Sequence, residues 1–291
     1  MFDLNTFKDP KRARKLIGAI EAVAPEHATL MEVCGTHTVS IARFGIRNVM
    51  PAGTRLASGP GCPVCVTANE DIDVAIALAR TPDAIITTFG DMTRVPGSTS
   101  SLNKEKAQGR DIRVVYSPLD ALAIAKANPD RQVIFLGVGF ETTTPLVAIA
   151  IKRAKAEGLA NFSVYAACKN MPNALDVLMG DPELKVDALI LPGHVSTIIG
   201  MEPYRFLAEK YSIAGFEPLD ILDALLMIFR QLSEGRADIE NAYARGVMPH
   251  GNEVALAAID EVFETCTVSW RGLGPIEESG YRIREEFAAY D

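Results

Sequence analysis

The alternation of short apolar strands with helices of about ten residues is the feature that most constrains the fold. Residues 84–89 (AIITTF) and 132–138 (QVIFLGV) predict buried strands, and the segment 118–128 between them predicts a helix. A strand–helix–strand order of this length is typical of parallel βαβ units. The sequence therefore predicts a fold of the α/β class.

The same pattern extends over most of the chain. Further helices are predicted over residues 11–24, 72–80, 145–157 and 173–179, and further strands over 29–33, 54–58, 112–116, 162–166 and 188–191. From residue 216 onward two amphipathic helices are predicted instead, over 219–232 and 253–264. We expect two Rossmann-like parallel-sheet domains facing a cleft, over 1–115 and 116–215, and a helical C-terminal portion over 216–291.

Composition excludes several classes of function. Hydrophobic residues make up 48% of the 291 residues, enough to bury a sizeable core. The formal net charge is −8, with 29 Lys and Arg against 37 Asp and Glu, which argues against binding duplex nucleic acid or an anionic membrane surface. We find neither a signal-peptide core nor an apolar run of roughly 18 residues, so a cytoplasmic location is expected. Cysteines in that reducing compartment indicate metal or redox work.

Polar and nucleophilic side chains follow the predicted strand ends: Cys34, His37, Asp91, Arg94, Glu141 and His194. Ligands bind at the carboxyl ends of strands in open parallel sheets. These loops therefore predict one crevice between the two α/β domains.

Each of these residues also has a structural interpretation. Asp91 and Arg94 can pair across a turn, and His194 can be a satisfied loop histidine. Glu141 follows an apolar run, so it is either exposed in a cleft or buried with a partner. The threonines at 142–144, followed by Pro145, can simply cap a helix.

Cys34 ends a predicted strand immediately before a predicted helix start. The positive end of that helix, and His37 three residues on, both favour the thiolate that binds metal and attacks disulfides. The alternative is a buried cysteine that only packs. Cys168 and Cys266 occur singly in the sequence, and each is interpreted as a cysteine that only packs.

Residues 59–65 (GPGCPVC) hold two cysteines, Cys62 and Cys65, in a loop stiffened by Gly and Pro. Such a pair can close a disulfide or chelate one metal. With Cys34 and His37 it would complete a Cys₃His zinc site. A thioredoxin-type site is another alternative, but its motif should open a helix, and no clear helix is predicted to begin within residues 62–67.

Six strings, in one order along the chain, resemble the hydrogenase maturation factor family HypD. They are residues 31–38 (MEVCGTHT), 59–67 (GPGCPVCVT), 88–98 (TFGDMTRVPGS), 139–145 (GFETTTP), 192–196 (PGHVS) and 271–274 (RGLG). The resemblance implies a redox-active scaffold, rather than a conventional turnover enzyme, that assembles the Fe(CN)₂CO centre of [NiFe] hydrogenases. It also implies two partners, a small HypC-type chaperone and a HypE-type cyanide donor.

The resemblance further assigns roles to individual residues. Cys34 would be the iron thiolate, shared with a cysteine of the chaperone. Cys62 and Cys65 would be the redox-active pair, and His37 would sit beside the iron. Soft thiolate ligands suit this iron, and a dithiol stores two electrons.

The chain departs from the family at one point. HypD-like proteins carry a [4Fe–4S] cluster on four C-terminal cysteines, and here no cysteine follows Cys266. We therefore expect the cluster to be absent and the sequence to be a shortened form. Two other functions stay open: a dithiol–disulfide oxidoreductase acting on proteins, and a zinc-stabilised binding module.

Overall fold

The structure is a computed structural model that describes residues 9–207 and 211–291. The first elements are α1 (Pro10–Val23), β1 (Ala28–Glu32), α2 (Gly35–Arg43), β2 (Thr54–Ser58), α3 (Pro63–Val66), α4 (Asn69–Arg80), β3 (Ala84–Thr88), α5 (Leu102–Ala107), β4 (Ile112–Val114), α6 (Pro118–Ala127), β5 (Gln132–Gly139) and α7 (Thr144–Glu157). They are followed by β6 (Phe162–Cys168), α8 (Met171–Met179), β7 (Ala188–Pro192), α9 (Gly193–Ile199), β8 (Tyr211–Ala214), α10 (Pro218–Glu234), β9 (Ile239–Asn241), α11 (Glu253–Val262), β10 (Phe263–Trp270) and β11 (Gly274–Ile283).

Helix starts follow local sequence signals. The Asp9 carboxylate accepts the N–H of Lys11 at 2.8 Å, and Pro10 opens α1. Ser117 caps α6 in a capping box with Asp120. A proline at the first helical position costs no hydrogen bond, because that N–H has no partner within the helix.

The chain divides into two compact units, each built from two segments. The first unit comprises the described residues of Met1–Cys62 and Leu175–Glu253. Its sheet has the order β2-β1-β7-β8-β9, with every neighbouring pair parallel. Helices α1 and α10 bury apolar residues such as Ile20, Leu225 and Phe229 against Leu30 and Ile190 of the strands.

The second unit comprises Pro63–Ala174 and Val254–Asp291. Its parallel sheet has the order β4-β3-β5-β6. One face carries Phe135 and packs on α6 and α7, and the other carries Leu136 and packs on α4. Because successive side chains of β5 point to opposite faces, an unbroken apolar strand serves both layers.

An antiparallel hairpin of β10 and β11 completes the second unit. Lys169, just after β6, bridges to Gly280 of β11. The predicted C-terminal helices are present as α10 and α11, but the hairpin was not predicted. Between its two buried ends, the strand of residues 263–270 (FETCTVSW) alternates between partly buried and exposed positions, as a half-buried strand does.

The α/β class with parallel sheets is confirmed. The division by packing differs from the contiguous domains predicted at 1–115, 116–215 and 216–291, because β7 returns to pair with β1. That pairing joins residues far apart in sequence, which local patterns do not encode. Within the described part of the chain, no helix is long and apolar enough to cross a membrane.

Candidate functional site

Cys34 lies at the junction between β1 and α2, as the N-cap residue of the helix. Its side chain is 6% exposed. Within the described structure the side chain of Cys34 forms no capping hydrogen bond, but the backbone N–H groups of Thr36 and His37, in the first turn of α2, lower the pKa of its thiol. The helix start thus partly offsets the cost of a buried anion at this sulfur.

Glu32 supports this junction from the last position of β1, where it is 1% exposed. One carboxylate oxygen accepts the N–H of Cys34 at 3.0 Å, and the other accepts the hydroxyl of Thr38 at 2.5 Å. The sequence analysis missed this residue. A charged residue within the apolar string of residues 29–33 was the signal that could have found it.

Burial opposes the thiolate at this site. Desolvation raises the pKa of the Cys34 thiol, while the N–H groups of the first helical turn act in the other direction. Burial also lowers the pKa of His37 to about 4. The expectation that His37 favours the thiolate through its charge is therefore wrong, because this imidazole is neutral at pH 7. A cationic metal would supply the missing positive charge.

His37 is held between a carbonyl and an aromatic ring. Its Nε2 lies 2.9 Å from the carbonyl oxygen of Gly215, and its Nδ1 is buried without a hydrogen-bond partner among the described residues. The ring of Phe216 stacks on His37 at 5.0 Å and on His194 at 3.8 Å. The predicted residues His37 and His194 are therefore brought together through Phe216, which the sequence analysis did not single out.

The Cys62 loop contacts the Cys34 junction directly. Gly35 donates its N–H to the carbonyl of Gly61 at 3.1 Å. A Cβ on Gly61 would overlap the backbone of Val33 and Cys34, so only glycine allows this approach. A Cβ on Gly35 would lie 3.8 Å from the Cys62 sulfur. The first unit therefore gathers Cys34, His37, His194 and the Cys62 loop at the carboxyl end of its sheet.

Cys65 is exposed and lies in α3, within the second unit. The prediction that no helix begins within residues 62–67 is wrong, since α3 is a single turn opened by Pro63. The carbonyl of Val66 accepts the N–H of Arg271 at 2.8 Å. This contact fastens the turn of Cys65 to the end of β10.

Asp91 and Arg94 occupy an exposed turn after β3. The carboxylate of Asp91 accepts the N–H of Met92 at 2.9 Å, which starts a short 3₁₀ helix. In the described structure these two side chains form no ion pair with each other. Their charges are thus available at the carboxyl end of the second unit's sheet.

Glu141 follows β5 and is 2% exposed. One of its oxygens accepts the N–H of Met171 at 3.0 Å, and the other is buried without a partner among the described residues. Desolvation raises the pKa of this carboxyl to about 7. The sequence left two interpretations of Glu141, exposed in a cleft or buried with a partner, and the second one applies. The partner is the backbone N–H of Met171.

A second buried charge, Lys169, lies beyond the end of β6 and was missed by the sequence analysis. Its Nζ donates to the carbonyl of Ser269 at 2.8 Å and lies 3.7 Å from the carboxylate of Asp71. Burial lowers the pKa of this amine. Its contacts with β10 and α4 hold the hairpin against the sheet.

Among the described residues, no three His, Cys, Asp or Glu side chains are placed to hold a metal ion. A [4Fe–4S] cluster needs four thiolates. The described residues do not fit such a cluster.

Comparisons with known proteins agree with the resemblance of the six strings. The family model described as HypD, hydrogenase formation hypA family, matches residues 11–291. The hydrogenase maturation factor HypD of Rhodobacter capsulatus is 50% identical, over 98% of this chain and 79% of that protein. That of Rhizobium leguminosarum bv. viciae is 46% identical, over 99% of this chain and 78% of that protein. A match of this extent establishes that the chain belongs to the HypD family.

Proposed function

We propose that this chain acts in hydrogenase maturation as the scaffold on which the Fe(CN)₂CO centre is assembled, together with a HypC-type chaperone. The observation that carries the proposal is the junction between β1 and α2. There Cys34 lies buried at the start of α2, whose first N–H groups lower the pKa of its thiol, and the Cys62 loop touches the same backbone. The relatives of Rhodobacter capsulatus and Rhizobium leguminosarum bv. viciae are hydrogenase maturation factors, which supports the same role.

Iron is the cargo in this proposal, and Cys34 is its ligand. The thiol releases its proton to solvent as the Fe–S bond forms, and the N–H groups of Thr36 and His37, which lower the pKa of this thiol, favour the thiolate. The chaperone supplies a second thiolate, and the HypE-type partner supplies cyanide.

Cys62 and Cys65 serve as the two-electron store. Their oxidation from two thiols to a disulfide releases two electrons and two protons. Cys62 is half-buried and Cys65 exposed, so a redox partner can reach the pair. Alkylation mass spectrometry across a redox titration tests this, since both thiols should disappear together. Loss of Cys168 while both stay reactive would contradict it.

The remaining predicted residues receive subsidiary roles. His37 lines the site beside the iron, and His194 supports it through Phe216. Glu141 holds a proton near neutral pH, and Asp91 and Arg94 present charge at the other sheet. These roles rest on position and chemistry.

One observation favours the alternative function, a dithiol–disulfide oxidoreductase. Helix α3 opens directly after Cys62, as a helix does in thioredoxin-type motifs. Anaerobic purification with the chaperone, followed by metal analysis and infrared spectroscopy, separates the functions. Iron with cyanide and carbon monoxide bands supports the scaffold, whereas an active dithiol without metal supports the oxidoreductase. Zinc alone would support the zinc-stabilised module.

A further inference from the structure

The contact between His37 and Gly215 determines which ring nitrogen carries hydrogen. A carbonyl oxygen only accepts, so the Nε2 of His37, 2.9 Å from it, must be the donor. A second hydrogen on Nδ1 would be buried without an acceptor among the described residues. The ring is therefore the Nε2–H tautomer, and Nδ1 keeps its lone pair.

The position of that carbonyl depends on the turn between β8 and α10. Gly215 packs so closely on Asp220 and Tyr243 that a Cβ there would overlap the Asp220 carboxylate. Phe216, the next residue, fills the space between His37 and His194. The turn therefore packs on Asp220. It directs the carbonyl of Gly215 toward His37 and places the ring of Phe216 against both histidines.

Asp220 is fixed in turn by Arg245. The two side chains form a bidentate pair, with N–O distances of 2.7 and 2.5 Å, and Asp220 is 3% exposed. A second contact comes from the N–H of Glu217 at 3.2 Å. The guanidinium also lies over the Tyr243 ring, 4.6 Å from its centroid. A bidentate pair with a buried carboxylate constrains both distance and orientation.

We propose that the Asp220–Arg245 pair positions His37 through the Gly215–Phe216 turn, fixing its imidazole as the Nε2–H tautomer with an acceptor at Nδ1. Asp220 and Arg245 are positioning residues, because they act on His37 through the backbone of the turn. The fixed lone pair accepts a hydrogen bond or binds a cation, the chemistry needed beside Cys34. That last role rests on the function proposed above, whereas the positioning itself does not.

The test is nitrogen-15 NMR of histidine-labelled, metal-free full-length protein, with the His37 signals assigned by His37→Gln. The wild type should show one tautomer and a Nε2–H protected from exchange with solvent. Arg245→Met should speed that exchange about tenfold or more, equivalent to about 1.4 kcal/mol, and populate the Nδ1–H form. Arg236→Met is the matched control, because Arg236 lies in the same unit but its ion pairs are with Glu234, Asp238 and Glu240, away from His37's contacts with Gly215 and Phe216. It should leave the His37 signals unchanged.

A second variant guards against simple misfolding. Arg245→Lys keeps the charge without the bidentate geometry, and its exchange rate should fall between those of the wild type and Arg245→Met. Unchanged His37 tautomer and exchange in a folded Arg245 variant would overturn the proposal. Because iron and partners are absent from the experiment, failure to bind iron in separate assays would count against the proposed function alone.

Discussion

The two units place similar residues at the ends of their strands, yet treat them differently. Each buries a glutamate there, Glu32 as the last residue of β1 and Glu141 just after β5, with 1% and 2% exposure. Both oxygens of Glu32 accept hydrogen bonds, whereas one oxygen of Glu141 is without a partner among the described residues. The desolvation of Glu141 is thus only partly compensated, which favours its protonated form.

The buried cysteines differ in the same way. The N–H groups in the first turn of α2 lower the pKa of Cys34, against the effect of its burial. Cys168, at the end of β6, donates its thiol hydrogen to the carbonyl of Gly137 at 3.3 Å, and burial raises its pKa to about 11. Burial raises the pKa of both thiols, but the backbone N–H groups near Cys34 oppose that rise, whereas the backbone beside Cys168 offers an acceptor to its thiol.

The largest expected effect separates the two cysteines. Cys34→Ala should abolish iron retention by the complex with the chaperone, while Cys168→Ala should retain it. Each substitution should cost only about 1 kcal/mol of unfolding free energy, since a small side chain is replaced by a smaller one. Iron content after anaerobic purification measures the difference. Equal iron in both variants would remove Cys34 as the ligand.

Glu141 should make the stability of the protein depend on pH. The pKa of its carboxyl is raised from 4.5 to about 7 in the folded state, so the folded protein holds this proton more tightly than the unfolded chain does. The resulting contribution to the free energy of unfolding is fully present below the pKa of the unfolded state and is lost as the pH rises through about 7. In total it is on the order of 3 kcal/mol. Urea unfolding at pH 5 and pH 8 measures it. Glu141→Gln should remove this part of the pH dependence. If the unfolding free energies of the wild type and the variant changed with pH in parallel, the assignment to Glu141 would be contradicted.

Glu32 should respond differently to the same substitution. Glu32→Gln turns an amide NH₂ toward either the N–H of Cys34 or the hydroxyl of Thr38, where an acceptor is needed. The expected cost is about 2 kcal/mol. At pH 5 Glu141→Gln should cost much less, because the amide resembles the protonated acid. Equal losses in urea unfolding at that pH would erase the contrast between the units.

The smallest expected effect concerns Thr38. Thr38→Val keeps the shape but removes the hydroxyl that donates to Glu32, at a cost of about 1 kcal/mol. Thr81→Val is a suitable control, because Thr81 is exposed and its hydroxyl donates to the carbonyl of Ala77 in the preceding helix α4. Unfolding by urea should distinguish the two. A loss no larger than that of the control would show that water replaces the hydroxyl.

Local patterns predicted most of the elements, since apolar runs bounded by Gly and Pro mark buried strands. The predicted strand over 84–89 matches β3, and the helix over 145–157 matches α7. The hairpin of β10 and β11 was missed because the preceding helical pattern was extended to residue 264. Helix α11 ends at Val262, where alternation begins.

The site was predictable only where a residue is unusual in its own sequence neighbourhood. Cys34 and Cys62 stand out beside glycines, and the structure places their loops in contact. The roles of Gly215 and Phe216 depend on packing against α2, which is far away in sequence. Such long-range contacts leave no local periodic signal.

The two-segment construction of each unit also bears on synthesis at the ribosome. Val33 donates its N–H to Ile190, so the strand that leads to Cys34 gains its neighbour only after some 150 further residues have been translated. The segment Pro63–Ala174 emerges in between and belongs to the other unit. Cys34 therefore leaves the ribosome long before the strand that neighbours its own is available. During that interval its thiol relies on the reducing capacity of its surroundings, rather than on burial, to escape oxidation.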